Sequence, residues 1–317
     1  LWATGRNDSG QLGDGTTTDR SAPIQVMGDV AAVSAGDSHT MILKTDATLW
    51  ASGANMFGQL GDGTTTDKST PVQVMSNVTG VSAGAFHTMI LKDNGSLWAI
   101  GLNNSGQLGD GTTTNRSTPV EVMTDVAAVF AGRFHTMILR NNATLWAVGD
   151  NSFGQLADGT TASKTAPVQM MTDVASVSAS ISHTMIVKSN ETLWAAGFNG
   201  DGRLGDGTIT DKNTPVQVMT DVAAVSAGGF HTMILQTNAH LWGVGHNTYG
   251  QLGDGTTTLG STPLQVMTDI SAVTSGLLHT VILKTNGTIW ATGQNDYGQL
   301  GDGTTTNKST PVQIVLP

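Results

Sequence analysis

The sequence predicts an all-β fold, a seven-bladed β-propeller of 48-residue repeats with four antiparallel strands per blade and one blade incomplete. Three observations predict it. First, Trp2, Trp50, Trp98, Trp146, Trp194, Trp242 and Trp290 recur at a constant step of 48 residues. His39, His87, His135, His183, His231 and His279 keep the same step, as do Pro23, Pro71, Pro119, Pro167, Pro215, Pro263 and Pro311. Second, each module reads as four short strands, and none of its segments has helical periodicity. Third, charged residues make up only 12% of the chain while glycine contributes 40 residues, which suits a turn-rich β architecture solvated by Thr, Ser and Asn.

Residues 30–77 justify the elements in order. Residues 30–36 (VAAVSAG) are small and β-compatible. Two residues, Asp37 and Ser38, separate them from residues 39–44 (HTMILK), the spacing of a hairpin. Residues 45–48 (TDAT) form a polar turn, and residues 49–53 (LWASG) form a third strand. A glycine-rich loop over 54–67 leads to residues 71–75 (PVQVM), where proline opens the strand without costing a ladder donor. Side-chain size then orders the strands, because blades are wedges. Ala, Ser and Gly place strand one at the axis, and bulky Met, Ile, Leu and Trp place later strands outward. Strand two is apolar on both faces, as a strand covered on both sides must be.

The domain organisation follows as one propeller domain over 1–317. It comprises a half-blade over 1–29 and full repeats over 30–77, 78–125, 126–173, 174–221, 222–269 and 270–317. Seven modules of 48 residues come to 336, which is 19 more than the 317 present, and the shortfall matches one inner hairpin. The start at Leu1 is read as a processed or partial product, with the hairpin lying beyond one end of the chain. The alternatives are a hairpin supplied by a neighbouring molecule through β-augmentation, and a six-bladed ring carrying a spare half-blade.

One string carries a family resemblance. Leu49-Trp50-Ala51-Ser52-Gly53, followed by Asn55 and by Gly58-Gln59-Leu60-Gly61-Asp62-Gly63, with Ser-Ala-Gly-x-x-His-Thr before it, resembles the RCC1-like repeat (regulator of chromosome condensation). The likeness spans the whole chain. It implies a seven-bladed propeller and no single activity, because such repeats occur in exchange factors, a plant ultraviolet photoreceptor and a secreted bacterial β-lactamase inhibitor. The photoreceptors carry tryptophan in the Gly-x-x-His-Thr turn; this chain has none there, which argues against light sensing.

Several chemistries are excluded or disfavoured. Net charge is −10 and no Lys/Arg run exceeds two residues, so nucleic acid is not an expected partner. Cysteine is absent, ruling out disulfides and thiolate metal sites, and no apolar stretch reaches a membrane span. The six histidines sit on different blades and cannot converge on one metal; each is expected to bond nearby backbone at its hairpin. Asp14, Asp62, Asp110, Asp158, Asp206, Asp254 and Asp302 lie in Gly/Ala-Asp-Gly strings that read as turns and lack calcium-loop spacing. No nucleophile elbow, P-loop or zinc-protease motif occurs, so the chain is read as a non-enzyme with no cofactor, metal or small-molecule substrate.

What varies between copies points to binding. The loops after strands one and three leave the sheet at one end and carry nearly all the non-Trp aromatics. Phe57, Arg133, Phe153, Phe198, His246, Tyr249 and Tyr297 are the candidate partner-binding residues. Phe86, Phe134 and Phe230 occupy equivalent positions and are expected to pack instead. Asn7, Asn77, Asn94, Asn103, Asn115, Asn142, Asn190, Asn286 and Asn307 form Asn-x-Ser/Thr sequons, candidates for glycosylation if the protein crosses a glycosylating compartment. The expectation is a non-catalytic interaction or assembly module, extracellular or on the cell surface, of a prokaryotic type. The alternatives are a filament or surface-layer subunit that completes its open blade with a neighbour, and an intracellular exchange factor or enzyme regulator.

Overall fold

Short strands of β-branched and small residues, punctuated by glycine and Asp/Asn turns, fold as antiparallel meanders. The computed structural model describes residues 1–315; the last two residues of the 270–317 repeat lie outside them. The first sheet has two strands, β1 (Trp2–Gly5) and β2 (Arg20–Gln25). Blade 1 is β3 (Val30–Ala35), β4 (His39–Lys44), β5 (Leu49–Gly53) and β6 (Lys68–Met75). Blade 2 is β7 (Val78–Ala83), β8 (His87–Lys92), β9 (Leu97–Gly101) and β10 (Arg116–Met123). Blade 3 is β11 (Val126–Ala131), β12 (His135–Arg140), β13 (Leu145–Gly149) and β14 (Lys164–Met171). Blade 4 is β15 (Val174–Ala179), β16 (His183–Lys188), β17 (Leu193–Gly197) and β18 (Lys212–Met219). Blade 5 is β19 (Val222–Ala227), β20 (His231–Gln236), β21 (Leu241–Gly245) and β22 (Gly260–Met267). Blade 6 is β23 (Ile270–Ser275), β24 (His279–Lys284), β25 (Ile289–Gly293) and β26 (Lys308–Ile314).

The fold is therefore an all-β propeller with six four-stranded blades and one extra strand pair, and the expectation of seven blades is corrected. Tryptophan marks the third strand, so counting it counts outer halves. A blade also needs the inner hairpin, and among the described residues β1 pairs only with β2.

The chain divides into two compact units, and a few residues of each lie within the other's sequence span. The first unit holds Leu1–Arg20, Ile24–Ser152 and Ala162–Thr172, which include blades 1–3. The second holds Ser21–Pro23, Phe153–Thr161 and the chain from Asp173 onward, with blades 4–6.

Within each unit, apolar side chains are buried between successive blades. In the first, Met41, Leu43, Leu49 and Leu60 of blade 1 pack against Val78, Ile90 and Ile100 of blade 2. In the second, Met185, Val187, Leu193 and Leu204 of blade 4 meet Val222 and Ile234 of blade 5. Burial of each such side chain is worth about 1.5–3 kcal/mol, which makes the blade–blade seam the main source of stability. Two polar ties repeat along these seams. Ser34 Oγ accepts the Ala83 N–H at 2.9 Å, and Ser178 Oγ accepts that of Ala227 at 2.9 Å. The histidines supply the second tie. His39 Nε2 lies 3.0 Å from Thr88 Oγ1 and His183 Nε2 lies 3.0 Å from Thr232 Oγ1. The ring thus bonds a threonine hydroxyl of the following blade, and the expected bond to local backbone is corrected.

Backbone conformation explains another recurrence. Asp29, Asn77, Asp125, Asp173, Asp221 and Asp269 open each blade with φ between 54° and 62°. Asp and Asn tolerate this left-handed region better than other side chains, which accounts for their recurrence at the blade link.

Candidate functional site

The loops after strands one and three do emerge side by side. The Ala54 N–H donates to Ser38 O at 2.7 Å, and the His246 N–H donates to Phe230 O at 3.0 Å. The long loop owes its shape to one buried asparagine. Asn55 Nδ2 donates to Asp62 Oδ1 at 3.0 Å and to the carbonyls of Thr64 and Thr66 at 3.1 and 3.2 Å, while its Oδ1 accepts from Leu60 N at 3.0 Å. Asn7, Asn103, Asn199 and Asn295 make the same set.

The aspartate of the Gly-Asp-Gly string completes this network. Asp62 accepts from Thr64 and Asn55, and Lys68 Nζ lies 3.4 Å away. Burial pushes the Asp14 carboxyl up, but hydrogen bonds from Thr16 and Arg20 outweigh burial and hold it at about 2. Turn chemistry and a local ion pair thus account for these aspartates. Among the described residues, no group of three or more His, Asp or Glu is arranged to hold a metal ion.

The network also bears on the sequons. The structure buries Asn7 and Asn103 and commits their amides, so these two are withdrawn as glycan acceptors. Asn77, Asn94, Asn115, Asn142, Asn190, Asn286 and Asn307 are exposed. All seven have a structural reason to exist: Asn77 holds the left-handed blade link, and Asn115 and Asn307 accept the N–H of Asn103 and Asn295 at 2.8 and 2.7 Å. Asn94 Oδ1 accepts from Ser96 Oγ at 2.7 Å, and Ser96 Oγ accepts the Trp98 indole N–H at 3.0 Å. Asn142, Asn190 and Asn286 repeat this chain with Thr144, Thr192 and Thr288. Asp46 does the same with Thr48 and Trp50, so the motif needs a side-chain acceptor and a hydroxyl two residues on, not a glycan.

The candidate binding residues fall into separate clusters. In the first unit, Phe57 meets Phe86 edge-on at 5.5 Å, and Phe86 lies 6.3 Å from Phe134. Arg133 stacks on Phe134 at 5.4 Å, and its Nη2 lies 3.2 Å from Asp37 Oδ2. Asp37 and Arg133 sit at equivalent turns of blades 1 and 3, and small Ala85 occupies that turn in blade 2. Arg133 is thus held by its own unit.

In the second unit, Phe153 meets Phe198 edge-on at 5.1 Å. The Arg203 guanidinium lies between Phe198 and Phe230, at 4.7 and 5.0 Å. Phe230 continues to His246 at 6.0 Å, and His246 to Tyr249 at 6.4 Å. Tyr297 is not joined to any ring among the described residues. Phe153 and Tyr297 are the most exposed of the candidates, at 38% and 48%. Phe86, Phe134 and Phe230 pack among the other rings.

Sequence reasoning missed Arg203, whose side chain is 2% exposed. Its equivalents are Gln11, Gln59, Gln107, Gln155, Gln251 and Gln299. Each glutamine Oε1 accepts the N–H two residues earlier, as Gln59 does from Phe57 at 3.0 Å. Arginine cannot accept; it instead donates to Gly229 O at 3.0 Å and to Asp201. One break in a sevenfold pattern was the available signal.

Comparison with known proteins agrees with this geometry. The RCC1-like domain description matches residues 1–234, and RCC1 repeat descriptions match 222–251 and 270–299, and 238–283 and 286–317. No curated protein sequence matches the chain. Among solved structures, human WBSCR16 is similar at 21% identity and TM-score 0.88, covering 100% of this chain and 93% of that one. Yeast RCC1 (Prp20) bound to Kap60 is similar at 18% identity and TM-score 0.89, covering 99% and 83%. Saccharomyces cerevisiae Prp20p, described with its binding to Gsp1p and histones, gives 19% identity and TM-score 0.88, covering 99% and 85%. At these identities the likeness is one of fold.

Proposed function

This chain belongs to the RCC1-like domain family, and on that premise we propose that it is a non-catalytic protein-interaction module whose loop aromatics engage a protein partner. The observation that carries the reading is Phe153, an exposed ring edge-on to Phe198, which opens a loop cross-linked by the buried Asn199. Exposed aromatics on fixed loops lose little entropy on binding, which is the usual property of an interface anchor. Phe57, Phe198, His246 and Tyr249 support such anchors, and Tyr297 offers a separate one.

The test substitutes alanine at Phe57, Phe153, Tyr249 and Tyr297 together. Proteins cross-linked to the parent in its native extract are expected to be lost from the variant while its unfolding temperature stays within a few degrees. Retention of the same partners would remove the reading. Net charge of −10 favours protein over nucleic acid as the partner, checked by gel shift with duplex and single-stranded DNA.

Two further readings each rest on one observation. The fold shared with Prp20p, studied for its binding to Gsp1p, supports an exchange-factor role, tested by catalysed nucleotide release from a small GTPase. The edge of β1 that has no strand partner among the described residues supports an assembly subunit that borrows a hairpin, tested by light scattering at rising concentration. We further propose an extracellular or surface location, on the low charge and the absence of thiols. Fractionation of the source cells decides it.

A further inference from the structure

Seven modules allow each position to be read against its equivalents, and one corner of the second unit breaks the pattern repeatedly. The loop position of Thr17, Thr65, Thr113, Thr161, Thr257 and Thr305 carries Ile209. The position of Asp19, Asp67, Asn115, Ser163, Asp211 and Asn307 carries Leu259. The next position is Arg20, Lys68, Arg116, Lys164, Lys212 or Lys308 elsewhere and Gly260 here.

These changes forgo interactions that other modules keep. Asp67 and Asp211 each accept a backbone N–H, from Asn55 and Asn199, at 2.7 Å; the leucine at 259 has no acceptor to offer Asn247. Lys212 Nζ lies 3.2 Å from Asp206 and Lys308 Nζ 3.5 Å from Asp302, whereas among the described residues no cation pairs with Asp254. In exchange the surface becomes aliphatic. Ile209 is 63% exposed, Leu259 54% and Leu264 of β22 53%.

The residues surround one crossing. The Gly207 N–H donates to Ser261 O at 2.9 Å, and a methyl on Gly207 would meet Thr262 Cγ2 at 3.7 Å. Ile209 follows that contact by two residues and Leu259 precedes it by two. Leu264 lies beyond the register shift between β21 and β22, at a position that is Ile24, Val72, Val120, Val168, Val216 or Val312 in the other modules, so the departure from the pattern is confined to Ile209, Leu259 and Gly260. A grouped apolar exposure with no local gain in stability marks a contact surface.

We propose that this corner of blade 5 docks a protein segment that presents an aliphatic side chain beside a lysine or arginine. The aliphatic group lies on Ile209 and Leu259. The cation takes the place over Asp254 that Lys212 and Lys308 hold over Asp206 and Asp302. None of the aromatic loop residues takes part, so this site stands or falls apart from the reading above.

The test selects short random peptides from a displayed library against the parent chain and against the variant Ile209→Thr/Leu259→Asp/Gly260→Lys, which returns the corner to the repeat pattern. That variant regains the cap and the ion pair, and Gly260 has neither a left-handed φ nor a close neighbour to obstruct a side chain. It should therefore unfold at a temperature no lower than the parent. The expected result is enrichment of peptides with Leu, Ile or Val next to Lys or Arg, binding the parent at least about tenfold more tightly than the variant. Gly260→Lys alone should weaken them and flatten their salt dependence. Enriched peptides without a basic residue, equal binding to both proteins, or no enrichment would overturn the proposal. Concentration-dependent self-association abolished by the triple variant would also overturn it, assigning the corner to a second copy.

Discussion

His39 Nε2 lies 3.0 Å from Thr88 Oγ1, and the Thr88 hydroxyl hydrogen is already committed to the Gln59 carbonyl at 2.9 Å. The threonine oxygen must therefore accept, and the histidine must donate through Nε2–H. That leaves His39 Nδ1 unprotonated, buried and without a hydrogen-bond partner. His87 with Thr136 and Gln107, and His231 with Thr280 and Gln251, repeat the arrangement. Each chain of bonds joins a blade, the next blade and the loop between them, and protonating the ring would add a buried Nδ1–H with no acceptor.

The first prediction concerns acid. Burial lowers His39 to about 4, and burial together with neighbouring histidines lowers His87 and His231 to about 3, all below the 6.5 of an exposed ring. On acidification the unfolded chain takes up these protons first. Stability is thus complete above about pH 7 and falls from 6.5 down toward the native values, each ring contributing up to about 1.4 kcal/mol per pH unit. Asp14, held at about 2, acts only in a lower window, below its ordinary 3.8. His87→Gln keeps a donor toward Thr136 and removes one titrating group. Urea unfolding between about pH 4.5 and 6 should show a slope reduced by about one proton, and an unchanged slope would refute the account.

The second prediction concerns the loop hub. Asn103 Nδ2 donates to Asp110 Oδ1 at 3.0 Å, and its Oδ1 accepts from Leu108 N at 3.0 Å. Asn103→Ala strands several buried partners, each worth about 1–3 kcal/mol. Asn103→Asp goes further, because it sets a carboxylate against Asp110 in a buried site. Calorimetry should rank the Asp variant below the Ala variant and both well below the parent. An Asp variant as stable as the parent would show that the amide donors are dispensable.

These residues also show what the sequence could reveal. Strand order, blade boundaries and the turn role of Asp62 follow from spacing and side-chain size, because those act within one module. The histidine's partner does not, since Thr88 belongs to the next module and only the packing of blades brings the two together. Arg133 and Asp37 lie 3.2 Å apart from turns in different blades, a contact no single module contains. Asn7 and Asn103 fit the sequon pattern yet serve as buried scaffold, because a three-residue pattern carries no information on burial. Arg203 and Leu259 were legible as departures from the repeat, but only the structure shows that one is buried and the other exposed.

The third prediction uses the turns after strand two. Ala47, Ala143 and Ala239 have φ of 62°, 60° and 65°, whereas the equivalent Gly95 and Gly287 have 77° and 82°. A left-handed backbone costs an alanine roughly 1 kcal/mol more than a glycine, partly offset by glycine's greater freedom when unfolded. Ala47→Gly, Ala143→Gly and Ala239→Gly should therefore each be neutral to stabilising by up to about 1 kcal/mol, against the usual direction of Ala→Gly in a regular element. The check is the denaturant midpoint of the single and triple variants, and a loss of about 1 kcal/mol per site would show that the strain is absent.

The fourth prediction inverts the usual expectation for a conservative change. Arg203 lies between the Phe198 and Phe230 rings and donates to Gly229 O and Asp201. Burial lowers its pKa, with Asp201 opposing, so the charge is retained at a desolvation cost. Lysine keeps the charge but has neither the planar face to stack on two rings nor the fork to reach both acceptors. Glutamine loses the charge, yet every equivalent module uses it to close the same turn by accepting an N–H two residues back. Arg203→Gln should therefore cost less stability than Arg203→Lys, which is expected to lose about 1–3 kcal/mol. In the Gln variant, Phe198 and Phe230 lose the cation between them, so faster hydrogen exchange should be confined to their loops. If lysine proves the milder replacement, charge alone holds the cluster, and the stacked geometry contributes nothing.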